Sequence, residues 1–439
     1  MKTKITLLFS LIAFAAIAQN FNTQRMDSLF TLIENHDKGM GSVSIFHDGE
    51  EVYQRTIGYA SVEDNIPATA ETKYRAGSVS KIYTATIIMH LIEDKQLSLD
   101  DMLADFYPDI KNAEKITIEH LLQHRSGIFN FTSANNYQEW LDQEVTHEQL
   151  LDTIRAKGTV FAPGEKMEYS NSNYVLLTYI AEKVTGKNFS QMLAEHILEP
   201  CNLTNTEFGK KIEPEKNEAY SYARLSKWSR DTETDMTVPS GAGAIVSTPT
   251  GINRFLTCLF NGKLLTKETV DQMTTMKDKY GYGMFRVPFH EKQAFGHTGG
   301  IDGFRASAFY FPEEKVAVTY LGNGVDMPVN DILIGVLSIY FGNEGYQLPE
   351  FSEPMEVSEE TLKKYTGTYS SVGFPLKLTI SVKDNTLIGQ GTGQPSFPLE
   401  PFEEHKFKYD AAGLKIEFIP EKDKMNLMQM GQTFELTKE

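Results

Sequence analysis

Apolar residues follow two different periods along this 439-residue chain. From Met26 to Ile33 they recur at helical spacing, which predicts an amphipathic helix. The segments Ser42–Phe46 and Val52–Tyr53 flank the turn Asp48-Gly49 and predict a β-hairpin. A long apolar helix is predicted from about Ser78 to Asp94. The N-terminal part therefore places a helix and two strands before a long helical segment.

Strand patterns return in the last third of the chain. A mostly helical stretch runs to about Asn261, whereas Phe304–Phe311 and Val316–Leu321 predict two strands. A last helix is predicted from Asp326 to Phe341. Early and late strands would then share one sheet, interrupted by a helical insertion. We therefore predict an α+β fold with an antiparallel sheet flanked by helices.

The pattern changes again near the C-terminus. The segment 344–359 is acidic, contains two prolines and lacks apolar periodicity, which indicates a linker crossed by few contacts. Beyond it, Leu376–Val382 and Leu414–Phe418 alternate apolar and polar residues, and Asp384-Asn385 marks a turn. This alternation predicts a separate, small antiparallel β domain at 360–439, either a barrel or a sandwich.

The charge of the chain excludes two classes of partner. It carries 42 Lys+Arg and 59 Asp+Glu, a formal net charge of −17. Nucleic acids and anionic lipid surfaces both attract clusters of Lys and Arg. Hydrophobic residues make up 41% of the chain, which supports a packed core. We therefore expect a folded protein that binds neither nucleic acid nor an anionic lipid surface.

The N-terminus predicts export. Lys2 and Lys4 precede the apolar run Ile5–Ile17, and Ala16-Ile17-Ala18 has the small-x-small pattern of a cleavage site. The run is too short for a membrane-spanning helix, which needs about 20 apolar residues. No cysteine follows it to carry a lipid. The sequence thus predicts a signal peptide at 1–18, cleavage near Ala18, and a periplasmic or secreted protein.

Metal and disulfide chemistry are not indicated. Cys201 and Cys258 form no CxxC motif and no Cys/His cluster, and their apolar neighbours favour two buried thiols. The sequence leaves a single bridge between them open. Glu119, His120 and His124 place two histidines four residues apart, but no third ligand is evident, so structural histidines are favoured. No metal or organic cofactor is predicted.

A candidate nucleophile stands at the head of the long helix, in Gly77-Ser78-Val79-Ser80-Lys81. Three residues along a helix bring Lys81 back to the face of Ser78. A serine hydroxyl needs a base to become a nucleophile, and burial can lower the pKa of a lysine enough to make it that base. A serine at a helix start is also a common N-cap. This motif alone leaves both roles open.

Two further polar motifs lie beside predicted elements. Tyr169-Ser170-Asn171 precedes a predicted helix, where a phenol could transfer protons and an amide could bind substrate. Packing and capping are the alternatives. Gly296-His297-Thr298-Gly299-Gly300 precedes the late strands, where glycines let a ligand approach the backbone. A glycine-rich turn with a surface histidine is the alternative there.

In order and spacing, these three motifs resemble the penicillin-recognising serine hydrolases. That family includes class C β-lactamases, serine D-alanyl-D-alanine carboxypeptidases, D-aminopeptidases and related esterases. The segments Thr117–Ile128 and Gly241–Thr248 are similar to two further stretches of the family, and Leu321-Gly322-Asn323 resembles its closing strand end. The resemblance covers about residues 23 to 342 and implies a β-lactamase-like hydrolase domain, which we place at 19–343.

The resemblance implies roles for the residues at matching positions. Ser78 would be the acylated nucleophile, while Lys81 and Tyr169 would share its proton and later activate water. Asn171 would bind the substrate amide carbonyl. The backbone N–H groups of Ser78 and Gly300 would form the oxyanion hole.

The third motif would complete substrate binding through His297, Thr298 and Gly299. His297 and Thr298 would face a substrate carboxylate, and His297 would also tune Tyr169. Most β-lactamases have lysine in place of His297, and a neutral imidazole attracts a carboxylate less strongly. The motif is more similar to that of the carboxypeptidases, D-aminopeptidases and esterases. With an ordinary pKa near ~6.5, His297 would change charge close to neutral pH.

We therefore expect an exported serine hydrolase acting on a D-amino-acid peptide, a β-lactam or a small ester through a Ser78 acyl-enzyme. The alternative is a penicillin-binding sensor or decoy that is acylated without turnover. Around Leu362 to Tyr369, the C-terminal domain resembles the lipocalin-like appendages of some D-peptidases. Arg286 and Arg305 lie near the third motif, where surface salt bridges are favoured over contact with a substrate carboxylate.

Overall fold

The computed structural model describes residues 21–224, 227–351, 355–394, 396–429 and 431–439. The predicted signal peptide lies outside these residues. Within them, no helix combines the length and apolar content that crossing a bilayer requires.

Helices and mostly short strands alternate before the late strands begin. They are α1 (Thr23–Asn35), β1 (Gly39–His47), β2 (Glu50–Ile57), β3 (Tyr59–Ser61), β4 (Ile66–Pro67), β5 (Tyr74–Arg75), α2 (Ser80–Glu93), α3 (Ile118–Leu122), α4 (His147–Lys157), α5 (Asn171–Thr185), α6 (Phe189–Leu193), α7 (Glu199–Cys201), β6 (Thr206–Phe208), β7 (Tyr222–Arg224), β8 (Trp228–Arg230), β9 (Ile245–Ser247), α8 (Pro249–Phe260) and α9 (Lys267–Met273).

Four late strands and a helix complete the first domain. They are β10 (Phe285–Phe289), β11 (Lys292–Ile301), β12 (Phe304–Phe311), β13 (Val316–Val325) and α10 (Val329–Tyr340). The central sheet is antiparallel with the order β10-β11-β12-β13-β1-β2, so the early hairpin pairs with the late strands through β1 and β13. The predicted α+β fold with a helical insertion is confirmed.

The sheet is the middle layer of the domain because its strands are apolar on both faces. In β13, Val318 and Tyr320 pack with α1 and α10, whereas Ala317 and Leu321 pack on the opposite side with α2 and α8. Side chains alternate between the faces of a strand, so a strand covered on both faces needs apolar residues at nearly every position.

Helix α2 lies at the centre of the larger core cluster. It is buried on nearly all sides, as expected for a helix that is apolar all round. It begins at Ser80 and not at Ser78, because Gly77–Val79 forms a separate 3₁₀ turn. Ser78 therefore lies on a tight turn at the entrance to the helix.

The C-terminal part is a closed antiparallel barrel of eight strands. Its elements are α11 (Glu359–Lys363), β14 (Gly367–Ser371), β15 (Phe374–Lys383), β16 (Thr386–Gly391), β17 (Ser396–Glu403), β18 (Lys406–Tyr409), β19 (Leu414–Ile419), β20 (Lys424–Gln429) and β21 (Gln432–Lys438). Strand β14 pairs with β21, and the inward residues of the alternating strands fill the interior. Of the two architectures that the sequence left open, the chain adopts the barrel, which leaves no free sheet edge.

The barrel contacts the first domain through a buried lysine, and the expectation that few contacts cross between the two domains stays a prediction. Lys38, which is only 2% exposed, lies 3.0 Å from Asp326 of its own domain. The same Nζ lies 2.6 Å from Glu400 and 3.4 Å from Asp410 of the barrel. Burial alone would lower the pKa of Lys38, but Asp326 and Glu400 outweigh it and raise this pKa above its usual value.

Several described residues of the connecting segment also pack on the two domains. Tyr346, Leu348 and Phe351 pack on the cluster formed with α1 and α10, and Val357 packs on the barrel core. The segment predicted as a linker is therefore partly built into both domains.

Replacing Lys38 by methionine should destabilise the folded protein by roughly 3 kcal/mol, because carboxylates of both domains would lose their shared cation. Urea unfolding curves would measure this loss. Lys315→Met is the matched control, since Lys315 and Asp48 form an ion pair that is 61% and 69% exposed. Such pairs contribute less than about 1 kcal/mol. Equal losses in the two variants would contradict a special role for Lys38.

Candidate active site

Ser78 lies on the turn that precedes α2, at the edge of a cleft of about 960 Å³. Gly77 allows this turn, because its φ of +52° is in the left-handed region that favours glycine. Strand β11 passes so close that a Cβ atom on Gly77 would lie 2.9 Å from Gly300 N. A Cβ atom on Gly299 would overlap the carbonyl oxygen of Ala76. The two glycines thus bring the third motif next to Ser78.

Lys81 is fully buried and forms three short polar contacts. Its Nζ lies 3.0 Å from Ser78 Oγ, 2.8 Å from Asn171 Oδ1 and 2.7 Å from the carbonyl oxygen of Ala242. Burial lowers the pKa of Lys81 well below its usual value, and no described carboxylate forms an ion pair with it. A neutral amine can donate its two N–H bonds to Asn171 and Ala242. Its lone pair then faces the Ser78 hydroxyl as a base.

Tyr169 approaches Ser78 from the other side. Its hydroxyl donates to Ser78 Oγ at 2.9 Å, and Lys81 Nζ lies 4.9 Å from the centre of its ring. Burial raises the pKa of Tyr169, although the contact with Ser78 lowers it in part. The resting phenol is therefore protonated, and Tyr169 is placed as a proton donor while Lys81 is placed as the acceptor.

Asn171 begins helix α5 and holds Lys81 in position. Its Oδ1 accepts from Lys81 and its Nδ2 donates to Thr132 Oγ1 at 3.2 Å, while its backbone N–H donates to Asn130 Oδ1. The side chain also lines the cleft. The Nδ2 group of Asn171 has two N–H bonds, so one can bind a substrate carbonyl while the other donates to Thr132.

The third motif is divided between the two faces of β11. His297 is 3% exposed, with Nδ1 against the carbonyl oxygen of Thr298 and Nε2 3.1 Å from Tyr280 OH. Thr298 is exposed, and Gly300 lines the cleft. Within the described residues, His297 does not line the cleft. Lys81 and Tyr169 are not among the described lining residues either, and the ring of His297 lies 6.0 Å from that of Tyr169 between centroids.

The predicted change of His297 charge near neutral pH is wrong for this structure. Burial, with a further contribution from Lys81, lowers the pKa of His297 to about 3. The ring is therefore neutral under working conditions and cannot attract a substrate carboxylate through a positive charge. His297 is therefore an uncharged ring beside Tyr169.

This correction predicts a pH dependence. Between about pH 5 and 8, kcat/KM for a carboxylate-bearing substrate should follow the same curve as that for its neutral amide. The reason is that His297, with its pKa near 3, stays neutral throughout this range. Profiles for both substrates at constant ionic strength would test this. A selective loss for the charged substrate as pH rises through 6 to 7 would contradict it.

The sequence did not predict the role of His124 beside Tyr169. His124 is fully buried and has a left-handed φ of +55°. Its ring lies 4.3 Å from that of Tyr169, and its Nδ1 accepts the backbone N–H of Ser170 at 3.2 Å. Tyr280 packs against the same ring at 4.7 Å. His124 thus holds the loop that carries Tyr169, and the Thr117–Ile128 segment was the available sequence signal.

The barrel contributes to the cleft as well. Gly393, in the turn after β16, and Tyr409, at the end of β18, line it together with Ser78 and Gly300. Tyr409 is held by stacking on Phe397, with 5.0 Å between the rings. The apolar pattern of the C-terminal domain does not predict that it reaches this site.

The structure also bears on the metal site and the disulfide that the sequence raised as alternatives. No group of three metal-ligating side chains occurs in the part of the chain that the structure describes. Glu119 accepts a hydrogen bond from Tyr282, and His120 accepts the backbone N–H of Thr117, so both serve the local structure. Cys201 and Cys258 are free, buried thiols.

The first domain is similar in sequence to known proteins. The family model described as Beta-lactamase matches residues 26–335. The teichoic acid D-alanine hydrolase of Staphylococcus aureus (strain NCTC 8325 / PS 47) is 28% identical over 270 residues, which are 60% of this chain. The chain spans 66% of that relative's length.

Two solved structures share the fold. The D-amino acid amidase from Ochrobactrum anthropi SV3, complexed with D-phenylalanine, is 25% identical with a TM-score of 0.65, covering 73% of this chain and 100% of that chain. The octameric penicillin-binding protein homologue from Pyrococcus abyssi is 26% identical with a TM-score of 0.65. That match covers 94% of this chain and 99% of the other, so it extends into the barrel.

Proposed function

Because this chain belongs to the beta-lactamase family, we propose that it is a serine hydrolase that cleaves D-aminoacyl esters or amides through a Ser78 acyl-enzyme. The observation that carries the proposal is the position of Ser78 Oγ. It lies within hydrogen-bond distance of the buried amine of Lys81, whose pKa is lowered by burial, and of the Tyr169 phenol, at the edge of an open cleft.

Acylation follows from these contacts. Lys81 accepts the Ser78 proton as Oγ attacks the substrate carbonyl carbon. The N–H groups of Ser78 and Gly300 would stabilise the resulting oxyanion. Tyr169 donates its proton to the leaving oxygen or nitrogen, the bond to the leaving group breaks, and the proton on Lys81 returns to Tyr169. The result is an ester of Ser78 and a free alcohol or amine.

Deacylation uses the same two groups in turn. Lys81 accepts a proton from water as the water oxygen attacks the Ser78 ester. The Ser78 oxygen leaves and is reprotonated through Lys81 and Tyr169, which releases the D-amino acid as its acid. No step requires a metal or an organic cofactor.

The substrate class is inferred from the relatives. One is a D-alanine hydrolase and another a D-amino acid amidase, so both are named for hydrolysis at a D-amino acid. D-Amino-acid peptides share the D-aminoacyl amide, and β-lactams and simple esters share the electrophilic carbonyl. We therefore rank D-amino-acid peptides, β-lactams and simple esters below D-aminoacyl esters and amides as proposed substrates.

A turnover panel tests the proposal. It compares D-alanyl and L-alanyl p-nitroanilides, a D-alanyl ester, a chromogenic cephalosporin and a D-Ala-D-Ala peptide. We expect turnover with the D-alanyl substrates and a preference over the L-isomers. Mass spectrometry of Ser78 should show a transient adduct. A permanent adduct without product would contradict hydrolysis and support the acylated sensor or decoy.

We also propose that the protein is exported to the periplasm or secreted. The support is the N-terminal pattern of Lys2, Lys4 and the apolar run before Ala18. Expression of the full chain in its native cells followed by N-terminal sequencing tests this. A mature N-terminus near Gln19 is expected, and an intact N-terminus in the cytoplasmic fraction would contradict it.

A further inference from the structure

Arg305 lies next to the predicted oxyanion site. It pairs with Gly300 across strands β11 and β12, and its Nη1 lies 3.8 Å from where a Cβ atom on Gly300 would stand. Gly300 N in turn lies beside the turn of Gly77 and Ser78. The Arg305 guanidinium therefore lies close to the place where the scissile carbonyl of a substrate would bind beside Ser78.

The guanidinium is fixed but its charge is not compensated. Nη1 donates to the carbonyl oxygens of Asp302 at 2.9 Å and Phe304 at 2.8 Å. No described carboxylate lies within ion-pair distance of Arg305, and its Nη2 and Nε groups have no acceptor among the described residues. The predicted surface salt bridge is thus absent from the described part of the chain, and N–H groups of Arg305 are free for a ligand.

Two acidic side chains share the cleft with Arg305. Asp302 is already engaged, because it lies 3.2 Å from Arg75 and accepts from Thr234 Oγ1 at 2.5 Å. Asp231 lines the cleft and accepts the backbone N–H of Thr232 at 2.8 Å. The cleft therefore offers one free cation, Arg305, and one acidic group, Asp231, among its described residues.

We propose that Arg305 binds an anionic group of the substrate, a carboxylate or a phosphate, located a few bonds from the scissile carbonyl. This inference rests on the proposed hydrolysis and narrows its substrate class to D-aminoacyl esters or amides that carry such a group. A guanidinium binds both anions through paired N–H groups. Tyr409 and Gly393 of the barrel line the same cleft.

The test compares substrates that differ only in this charge. D-Phenylalanyl-glycine and D-phenylalanyl-glycinamide differ in a carboxylate, and D-alanyl-glycerol with and without a phosphate differ in a phosphate. Arg305→Gln should lower kcat/KM for the charged member of at least one pair by about tenfold to a hundredfold. The neutral members should change by less than about threefold, because the charge is absent from them.

Two further variants serve as controls. Arg286→Gln removes an exposed arginine of β10 that does not line the cleft among the described residues, and it should leave the charge preference unchanged. Asp231→Asn removes a negative charge from the cleft and should shift the preference towards the charged substrates, opposite in sign to Arg305→Gln. The pair that responds identifies the anion as carboxylate or phosphate.

Failure of this proposal can be separated from failure of the proposed function. If the parent protein hydrolyses both members of each pair and Arg305→Gln affects them equally, the Arg305 proposal is wrong while hydrolysis stands. If nothing is hydrolysed, the proposed function is wrong. The same compounds are then used to protect Ser78 from a fluorophosphonate probe, where equal protection by charged and neutral members in both proteins would overturn the role of Arg305.

Discussion

Ser78→Ala should abolish hydrolysis and covalent labelling, with kcat falling by a factor on the order of 10⁶. The loss is this large because Ser78 Oγ would form the covalent bond, and both Lys81 and Tyr169 converge on that one atom. No other group is placed between this base and this acid in the described cleft. Labelling by a fluorophosphonate or a fluorescent penicillin, followed by turnover of a D-alanyl ester, provides the measurement.

Ser80→Ala is the matched control for this variant. Ser80 stands two residues further on and is also buried, but its hydroxyl accepts the backbone N–H of Ile245 at 2.9 Å. This variant should retain labelling at Ser78, with some loss of stability. Undiminished labelling of Ser78→Ala would move the nucleophile to another serine and would remove the basis of the proposed mechanism.

Lys81→Met should lower the acylation rate by about 10³- to 10⁴-fold, because the neutral amine that accepts the Ser78 proton is lost. Methionine fills a similar volume, so the burial of α2 should be preserved. Lys81→Arg should be nearly as inactive, since a guanidinium stays charged and has no lone pair to accept a proton. Stopped-flow acylation with a chromogenic ester measures both variants.

The proposed base, Lys81, also determines whether kcat/KM rises or falls with pH. Because Lys81 acts as a neutral amine, kcat/KM should rise with pH as Lys81 loses its proton and should fall in acid. Burial lowers the pKa of Lys81, so this rise should occur well below the range of an ordinary lysine. An active Lys81→Arg protein would contradict the base and leave Lys81 only a structural role. Far-UV circular dichroism confirms that each variant is folded.

Local patterns are enough to place Lys81 beside Ser78. A spacing of three residues brings the two side chains together in a 3₁₀ turn as in an α-helix, and apolar alternation predicts β12 and β13. The sequence predicts a helix from about Ser78, whereas α2 begins at Ser80, because only tertiary contacts distinguish a 3₁₀ turn from the first turn of a helix. The positive φ of Gly77 depends on those same contacts.

Features that depend on distant packing could not be predicted. Alternation along β11 places neighbouring residues on opposite faces, but the sequence does not say which face is buried. It predicts His297 facing a substrate carboxylate, whereas His297 is buried beside Tyr169. Whether the Arg305 guanidinium forms an ion pair depends on which carboxylates the fold brings near it. The approach of Tyr409 to the cleft depends on how the barrel docks.

The docking of the barrel also constrains how this protein can change over generations. Asp410, which Lys38 holds, directly follows Tyr409, which lines the cleft. A mutation at Lys38 would therefore alter the cleft without touching it. Exchanging the barrel for that of a relative would transfer specificity only if the acidic partners of Lys38 were inherited with it. Position 38, near the start of the chain, and the barrel, near its end, would therefore have to change together.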